Sequence, residues 1–208
     1  MDVGIWGLIA GSGWASGVNL YLVAGLLGGA GRLGLLDVPD VLTRTDVLIA
    51  ATVMFVVEFF ADKIPFLDSA WDAVHTAIRP VGAALIGYAL GGDTPDWQQL
   101  TGAAASGGLA LASHLAKATA RAAINASPEP VSNIVASVTE DGLVVGVIAI
   151  AIAAPVIAII VVAALLVAGT ALALALASLA RRGRERIRAR HARRQAGDRT
   201  GAEPPVDG

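Results

Sequence analysis

The chain has 208 residues, of which 55% are hydrophobic and 15% charged, with a mean hydropathy of +0.68 and a formal net charge of -2. A soluble domain of this length does not need so much apolar surface, so the composition points to a membrane protein. Because the chain has no cysteine, it excludes a disulfide framework, a thiolate nucleophile and a Cys-ligated metal site.

Charge is distributed unevenly between the body of the chain and its C-terminal tail. Residues 1–180 contain six Lys or Arg and thirteen Asp or Glu, whereas residues 181–208 contain nine Arg and four acids. Basic residues directly after an apolar segment set membrane orientation, which predicts a cytoplasmic C-terminus. The tail has no folded nucleic-acid-binding domain and no aromatic residues between its basic ones, so nucleic-acid binding is not expected. Residues 195–208, rich in Gly, Pro and charge, are predicted to be disordered.

The first apolar segment, residues 5–35, contains nine glycines. Small residues at this density favour close helix–helix contact in lipid. Because the N-terminus lacks the basic region of a signal peptide, the segment is predicted to be a retained first span. Asn19 lies within it, either bonded across to a neighbouring helix or as part of a polar site. Residues 36–46 are predicted to form a loop or a short interfacial turn.

The second apolar segment is too short for an ordinary span. Residues 46–61 give about 15 residues before Asp62, whereas a full span needs ~20. The segment is therefore either tilted, with its polar end inside protein, or a half-helix that stops within the membrane. Pro65 disfavours helix at the preceding residue and marks a break. A further helix is predicted from 66 to 90, ended by the Gly- and Pro-containing residues 91–95.

The second half of the chain begins with an Ala- and Gly-rich segment, residues 98–124, which predicts a fourth helix. Residues 125–130 interrupt it with two prolines. Within them, Ser127 followed by Pro128 resembles a helix start, so a short helix is predicted to run to Val138.

Residues 142–180 form a stretch of thirty-nine residues without a single charge. As one straight helix this stretch would be ~58 Å long, about twice the ~30 Å hydrocarbon core. It must therefore bend, break or form two segments. Pro155 is the predicted break, which leaves a short segment, 142–154, and a long one, 156–180.

The two halves share a pattern at an offset of ninety residues. The Ser-Gly pair at residues 16–17 recurs at 106–107, and Pro65 recurs as Pro155. Corresponding proline-interrupted segments in two halves point to a transporter site near the membrane midplane. If each half crosses three times, the second half enters from the opposite side and the repeats are inverted. Chance similarity between Ala- and Gly-rich helices is the alternative.

The sequence thus predicts an all-α polytopic membrane protein with five to six membrane segments, some short, proline-broken or re-entrant. The segments form two pseudo-symmetric, inverted repeats, about 5–92 and about 98–180, in a single transmembrane domain of residues 1–180. Residues 181–208 form a basic, then disordered, cytoplasmic tail. Six spans, or four spans with two re-entrant hairpins, both place the termini in the cytoplasm, so charge does not choose between them.

Ionisable residues of the first repeat share helix faces, because residues three and four apart are neighbours on a helix. Glu58 and Asp62 are spaced in this way at the end of the second helix. Four more, spaced by four, three and four residues, mark one face of the third helix: Asp68, Asp72, His75 and Arg79.

The fourth helix carries a basic stripe instead, formed by His114, Lys117 and Arg121. The first repeat thus has an excess of acid and the second supplies base. Paired charges are less costly in a membrane than isolated ones. The two stripes are therefore predicted to face each other inside the bundle.

These charges support three interpretations. They are structural ion pairs at helix ends, with side chains reaching out to the interface. Alternatively they form a transport site, since chains of carboxylates and histidines relay protons and bind ions in membranes. The third interpretation is an intramembrane enzyme.

Signatures of catalysis are lacking in this sequence. It has no Gly-x-Ser-x-Gly elbow and no His-Glu-x-x-His motif, and its three histidines do not have a metal-ligand spacing. Asp68 and Asp72 could hold a cation, but pairing of both carboxylates with Arg79 is the simpler interpretation. The sequence predicts no cofactor and no metal site, and it disfavours an enzyme.

Several strings resemble bacterial integral membrane proteins of domain-of-unknown-function family 4126. They include SGVNLY at 16–21, EFFADKIP at 58–65, DSAWD at 68–72 and NASPEPVSN at 125–133. The resemblance implies a shared polar core but no particular activity. The candidate substrate- or ion-binding residues in these and the adjoining polar positions are Asn19, Glu58, Asp62, Lys63, Asp68, Asp72, His75, Arg79, Lys117, Arg121, Asn125, Glu129, Asn133, Glu140 and Asp141.

The leading functional hypothesis is a small transporter, or a translocase for lipid or a small anion, with its site between the proline-broken segments. The acids and His75 of the first repeat would bind ions or protons. Lys117 and Arg121, next to a Ser-Pro helix start, would contact a phosphate-like headgroup. The alternative is a membrane scaffold or assembly factor whose charges only hold its helices together.

The expected partners are the lipid bilayer and an anionic lipid or small anion. The expected location is the bacterial inner (plasma) membrane. The sequence is compatible with a homo-oligomer.

Overall fold

The computed structural model describes residues 1–64, 66–126 and 130–200, and all of its regular structure is helical. The described residues form seven helices: α1 (Val3–Arg32), α2 (Asp40–Thr43), α3 (Thr45–Ala61), α4 (Leu67–Leu90), α5 (Asp96–Ile124), α6 (Pro130–Ala153) and α7 (Pro155–Thr200). The predicted all-α class is confirmed. The short turn predicted between the first two apolar segments is α2.

Among the described residues, three helical stretches are long and apolar enough to cross a membrane: α4, Val131–Ala153 and Pro155–Leu179. Their outer faces expose large hydrophobic side chains, among them Leu85 and Val167. Charged side chains, in contrast, are buried in the middle of the bundle. A bundle that is apolar outside and charged inside suits lipid rather than water, so the chain is a membrane protein.

α1 lies at the centre and packs against every other helix of the bundle. Its glycines allow this close approach: a Cβ at Gly17 would collide with the Ala110 carbonyl of α5, and one at Gly7 would lie 2.6 Å from the Pro155 Cα of α7. These helices therefore meet backbone to backbone, as the glycine content of the first segment predicted.

Asn19 interrupts the helical geometry of α1 in its middle. Its backbone is extended, with φ -151° and ψ 96°, while the residues on both sides belong to the helix. The Asn19 Oδ1 accepts a hydrogen bond from the Leu22 backbone N–H at 3.0 Å, which caps the second part of α1. The carbonyls that precede the break become available to side chains of other helices.

The short second segment and the helix after it are as predicted. α3 has 17 residues and ends at Ala61, and α4 begins at Leu67. The chain is thus non-helical where a proline break was expected, although Pro65 itself lies outside the described residues.

The predicted division of residues 130–153 into two separate helical segments is wrong. α6 runs without interruption from Pro130 to Ala153, whereas a short helix to Val138 and a separate segment from 142 were predicted. No residue between Val138 and Gly142 stops the helix. A single Gly costs only ~1 kcal/mol, and the charge of Glu140 is compensated by an ion pair with Arg121. The helix start predicted at Ser127 and Pro128 lies outside the described residues.

The break before Pro155 is confirmed. Ala154 is not helical, α7 begins at Pro155, and the missing proline N–H explains why the two helices do not merge. α7 continues to Thr200, beyond the uncharged apolar stretch that ends at residue 180 and into the segment for which disorder was predicted. Residues 201–208 lie outside the described part.

Candidate functional site

The acidic and basic stripes meet in the centre of the bundle. α3 and α4 supply the acids, and α4 and α5 supply the cations Arg79, Lys117 and Arg121. The side chains of Glu58 and Arg79 have no exposed surface. The interpretation in which these charges reach out to the interface is therefore wrong, while the predicted pairing of the stripes is confirmed.

Lys117 is surrounded by carboxylates. Four of them lie within 4 Å of its Nζ, at 2.7 Å for Asp62, 3.5 Å for Glu140, 3.8 Å for Glu58 and 3.9 Å for Asp72. Lys117 also donates to the Val18 carbonyl at 3.1 Å, directly before the break in α1. One ammonium group thus joins α1, α3, α4, α5 and α6.

Arg79 forms the second centre. Its Nη2 donates to Glu58 Oε1 at 2.7 Å, and its Nη1 lies 3.0 Å from Asp72 Oδ1. The same Nη1 donates to the Gly17 carbonyl at 3.2 Å. A second backbone carbonyl freed near the break in α1 is therefore bound by a buried cation.

Arg121 forms the third centre and holds α6 against α5. Its Nε and Nη2 bind the two oxygens of Glu140 at 3.1 and 2.6 Å, a bidentate pairing. Its Nη1 donates to the Asp62 carbonyl at 2.7 Å, at the end of α3. Arg121 thus ties together three helices from both halves of the chain.

Asp68 does not pair with Arg79, contrary to the expectation that both Asp68 and Asp72 would. The Asn125 amide donates to both of its oxygens, at 2.8 and 2.9 Å. Asn133 donates to Asn125 Oδ1 at 3.1 Å, which extends the chain of bonds into α6. Asp68 lies just over one turn of α4, ~6 Å along the helix axis, from Asp72, so a different set of residues faces it.

Both buried histidines have hydrogen bonds on both ring nitrogens, and these bonds show that His114 is neutral. The Nδ1 of His75 lies 2.8 Å from the Trp71 carbonyl and so carries a proton, and its Nε2 is hydrogen-bonded to the Tyr21 hydroxyl at 2.9 Å. His114 Nδ1 accepts from Arg79 at 2.7 Å, and its Nε2 donates to Thr76 at 3.0 Å. Because Arg79 can only donate, His114 Nδ1 carries no proton and the His114 ring is neutral.

The remaining candidates form the edge of the network. Asn19 donates to Asp141 Oδ1 at 3.1 Å and so joins the break in α1 to α6. Lys63 donates to the Phe59 carbonyl at 2.9 Å and to the Ser137 hydroxyl at 3.1 Å. Glu129 lies outside the described residues.

The structure adds partners that the sequence analysis did not select. They are His114, Thr76, Tyr21 and the carbonyls of Gly17 and Val18. His114 belongs to the predicted basic stripe, three residues before Lys117 on the same helix face, but was not among the candidate binding residues. The Gly17 and Val18 carbonyls could not have been predicted, because no side chain identifies them and they become available only through the break at Asn19.

A cavity of about 160 Å³ opens beside the network, between α1, α5, α6 and α7. Its walls are mostly apolar and include Trp14, Leu143, Leu165 and Leu172. Lys117 and Glu140 form its polar end. The cavity therefore connects an apolar surface to the buried charges.

Comparison with known proteins gives a family but no activity. The family described as Domain of unknown function (DUF4126) matches residues 7–175, which include all of the buried charged network. No significant match was found among curated proteins or among solved structures. The match covers most of the chain and agrees with the strings noted in the sequence, so the chain belongs to the DUF4126 family.

Proposed function

We propose that this protein is a membrane transporter that translocates lipid, or another amphiphile with a small polar or anionic head, through a polar site between two inverted repeats. It would act in the inner (plasma) membrane of a bacterium, with its C-terminus in the cytoplasm. The observation that carries this proposal is the cavity that ends on Lys117 and Glu140.

The cavity suits an amphiphile better than a fully hydrated ion. Its walls are apolar side chains of α1, α5, α6 and α7, and its charged groups are at one end. At about 160 Å³ it admits a headgroup or part of a chain rather than a whole lipid. The rest of the ligand would remain in the bilayer. Apolar walls with a few converging polar groups are typical of ligand sites.

The break in α1 provides a second line of support. Transporters bind substrates at discontinuous helices, where unwound backbone can coordinate charged groups near the midplane. Here the Gly17 and Val18 carbonyls bind Arg79 and Lys117 beside the break. Val18 also lines the cavity, so movement at the break would change the cavity and the charged network together.

The order of the helices supports an internal repeat. Adding ninety to the bounds of α1, α3 and α4 gives 93–122, 135–151 and 157–180, which fall on α5, α6 and α7. The counterpart of α2 falls on the first turn of α6, where the second half has one continuous helix. α1 and α5 have 30 and 29 residues, long enough to cross a ~30 Å core at 1.5 Å per residue. This correspondence supports six crossings in two inverted halves.

A lipid-scrambling assay tests the proposal. The full chain is reconstituted into vesicles that contain fluorescent NBD-labelled phosphatidylglycerol, and dithionite is added to quench the outer leaflet. A translocase makes the inner-leaflet probe accessible too, so quenching continues past the fraction seen in protein-free vesicles. The same assay with labelled phosphatidylethanolamine compares an anionic head with a zwitterionic one.

The route is tested by filling the cavity. Ala116 lines it and faces α7, so Ala116→Leu should slow scrambling severalfold. Ala77→Leu makes the same change at an exposed position of α4 that does not line the cavity, and it should leave the rate unchanged. Equal rates for both variants, or no acceleration by the wild-type chain, would reject the cavity as a translocation route.

A structural scaffold is the second candidate, and one observation favours it. Each buried cation already has at least two acceptors within the protein, as a network that only holds helices together would. For a scaffold, any loss of cellular function in Glu58→Gln or Lys117→Gln would parallel the loss of thermal stability. For a transporter, at least one of these variants would remain folded and stable but lose translocation.

A further inference from the structure

The buried network carries more negative than positive charge. Its carboxylates are Glu58, Asp62, Asp68, Asp72 and Glu140. Its cations are Arg79, Lys117 and Arg121, and His114, which accepts from Arg79, is neutral. Five carboxylates against three cations leave an excess of two negative charges. Even without Glu140, whose side chain is 18% exposed, one excess charge remains. An uncompensated charge at this depth is costly.

Some of the buried carboxyl oxygens have no hydrogen bond. They are Glu58 Oε2, Asp62 Oδ1 and both oxygens of Asp72, of which Oδ1 still lies 3.0 Å from Arg79 Nη1 as an ion pair. Each of these residues is at most 3% exposed. A buried ionised carboxylate normally accepts several hydrogen bonds, and a bare oxygen marks a group that is not satisfied as an anion.

The other ionisable groups are satisfied as they stand. Asp68 accepts from Asn125 on both oxygens, and Glu140 accepts from Arg121 on both. The ring nitrogens of His75 and His114 are occupied. The excess charge is therefore confined to the three residues with bare oxygens.

We infer that the network binds a proton, held as a carboxylic acid within the trio Glu58, Asp62 and Asp72 at the centre of the bundle. A proton from water adds to one carboxylate oxygen, an O–H bond forms, and no other bond changes. That this proton drives translocation rests on the proposed function, whereas its binding does not.

The groups around the trio come from every adjacent helix. Arg79 of α4 and Lys117 of α5 lie within 4 Å of both Glu58 and Asp72 and favour the ionised forms. The remaining carboxylates, including Asp68 of α4 and Glu140 of α6, oppose full ionisation. α1 contributes the neutral Tyr21 and backbone carbonyls, which carry no formal charge. Arg121 of α5 lies 3.5 Å from Asp62, but it also pairs with Glu140. Loss of the proton would leave the trio, Asp68 and Glu140 to share three cations.

A metal cation fits this place less well than a proton. Four carboxylates converge on one point, and the Lys117 ammonium already occupies it. Among the described residues, no group of three or more His, Asp or Glu side chains has an arrangement that could hold a metal ion. A proton needs only a single bare oxygen and a neighbouring acceptor.

Infrared difference spectroscopy of the purified full chain tests the inference. At neutral pH the wild type should show the C=O stretch of a protonated carboxylic acid, with a shift in deuterated water. Glu58→Gln, Asp62→Asn or Asp72→Asn should remove or displace this band. Asp68→Asn removes the same charge but from a satisfied carboxylate, so it should leave the band in place. Two Asn variants and one Gln variant are used so that misfolding of any single one does not decide the result.

Two outcomes would overturn the inference. The first is a wild-type spectrum with no carboxylic acid band at neutral pH. The second is a band that survives all three trio substitutions. A further experiment replaces choline chloride by sodium chloride at constant ionic strength. Loss of the carboxylic acid band together with higher thermal stability in sodium chloride would show a sodium site and refute a proton site. A clear band in a chain that does not scramble lipid would refute the proposed function but not the proton.

Discussion

The Nζ of Lys117 lies 2.7 Å from Asp62 Oδ2, although 55 residues separate the two along the chain. Asp62 belongs to the end of the short helix of the first half, and Lys117 belongs to the long first helix of the second half. Their pairing fixes the two halves against each other. It also places an ammonium group among four carboxylates, so one substitution disturbs the whole network.

We expect Lys117→Gln to destabilise the protein strongly. Removal of one partner of a buried ion pair leaves the other charge uncompensated, which costs about 3–5 kcal/mol. Here the remaining charges are several carboxylates, so the value should be at the upper end. Thermal unfolding of the full chain in detergent, followed by the fluorescence of its four tryptophans, measures the change.

The exposed pair Arg44–Asp46 is the control for this prediction. Its N–O distance is 2.6 Å, as short as the buried pairs, but both side chains are more than half exposed. The hydrogen bond from Asp46 raises the pKa of Arg44, so the pair is fully charged at neutral pH. Arg44→Gln should change the melting temperature little, because water screens such pairs. A loss equal to that of Lys117→Gln would show that burial is not what matters.

Gly17→Ala should severely disturb the packing of α1 on α5. A Cβ at this position would collide with the Ala110 carbonyl and the Ser113 hydroxyl. Because backbone cannot move aside as a flexible side chain can, the cost should exceed the ~1–3 kcal/mol typical of overpacking. Expression yield and melting temperature in detergent report it.

Gly25→Ala tests whether the effect is steric. A Cβ at Gly25 would have nothing within 4 Å, and the residue lies in the same helix. Alanine is a better helix former than glycine by ~1 kcal/mol, so this variant should be as stable as the wild type or more so. If both variants lost stability equally, close approach of the two backbones would not explain the first result.

Asn19→Ala should weaken the break in α1 and its contact with α6. The substitution leaves the Leu22 N–H and the Asp141 carboxylate without this partner, which costs about 1–3 kcal/mol for a buried polar group. Thr52→Ala is the comparison, because the Thr52 hydroxyl bonds only within its own exposed helix. The Thr52 variant should remain within ~0.5 kcal/mol of the wild type. Unfolding in detergent measures both.

Membrane topology gives a test of three crossings per half. If each half crosses three times, residues 91–95 lie on the side opposite to both termini. Alkaline phosphatase inserted at Asp93 should then be active, and green fluorescent protein inserted there should not fluoresce. Fused after Gly208, alkaline phosphatase should be inactive and green fluorescent protein should fluoresce. With two spans and a re-entrant hairpin per half, residues 91–95 would lie on the same side as the C-terminus.

Local patterns in the sequence were sufficient for most helix positions. The bounds of α3, α4 and α5 agree with those expected to within a few residues, and the break before Pro155 is where it was predicted. Proline and glycine act on the backbone locally, and apolar length can be counted, so no tertiary information is needed. α6 shows the limit of this approach. Its charged centre looked like a boundary, yet Arg121 from another helix pairs with Glu140 and lets the helix continue.

By itself the sequence determined that the protein is helical, that it belongs in a membrane, and that its acids and bases lie on helix faces that need each other. Only the tertiary structure decided which acid meets which base, because residues as far apart as Asp62 and Lys117 become partners through helix packing. It also decided that Asp68 is held by Asn125 instead of Arg79, and that Glu58, Asp62 and Asp72 keep oxygens without a hydrogen bond. The physical reason is that helix periodicity sets which face a charge occupies, whereas hydrogen bonds require contacts within about 3 Å, and those depend on how the backbones pack.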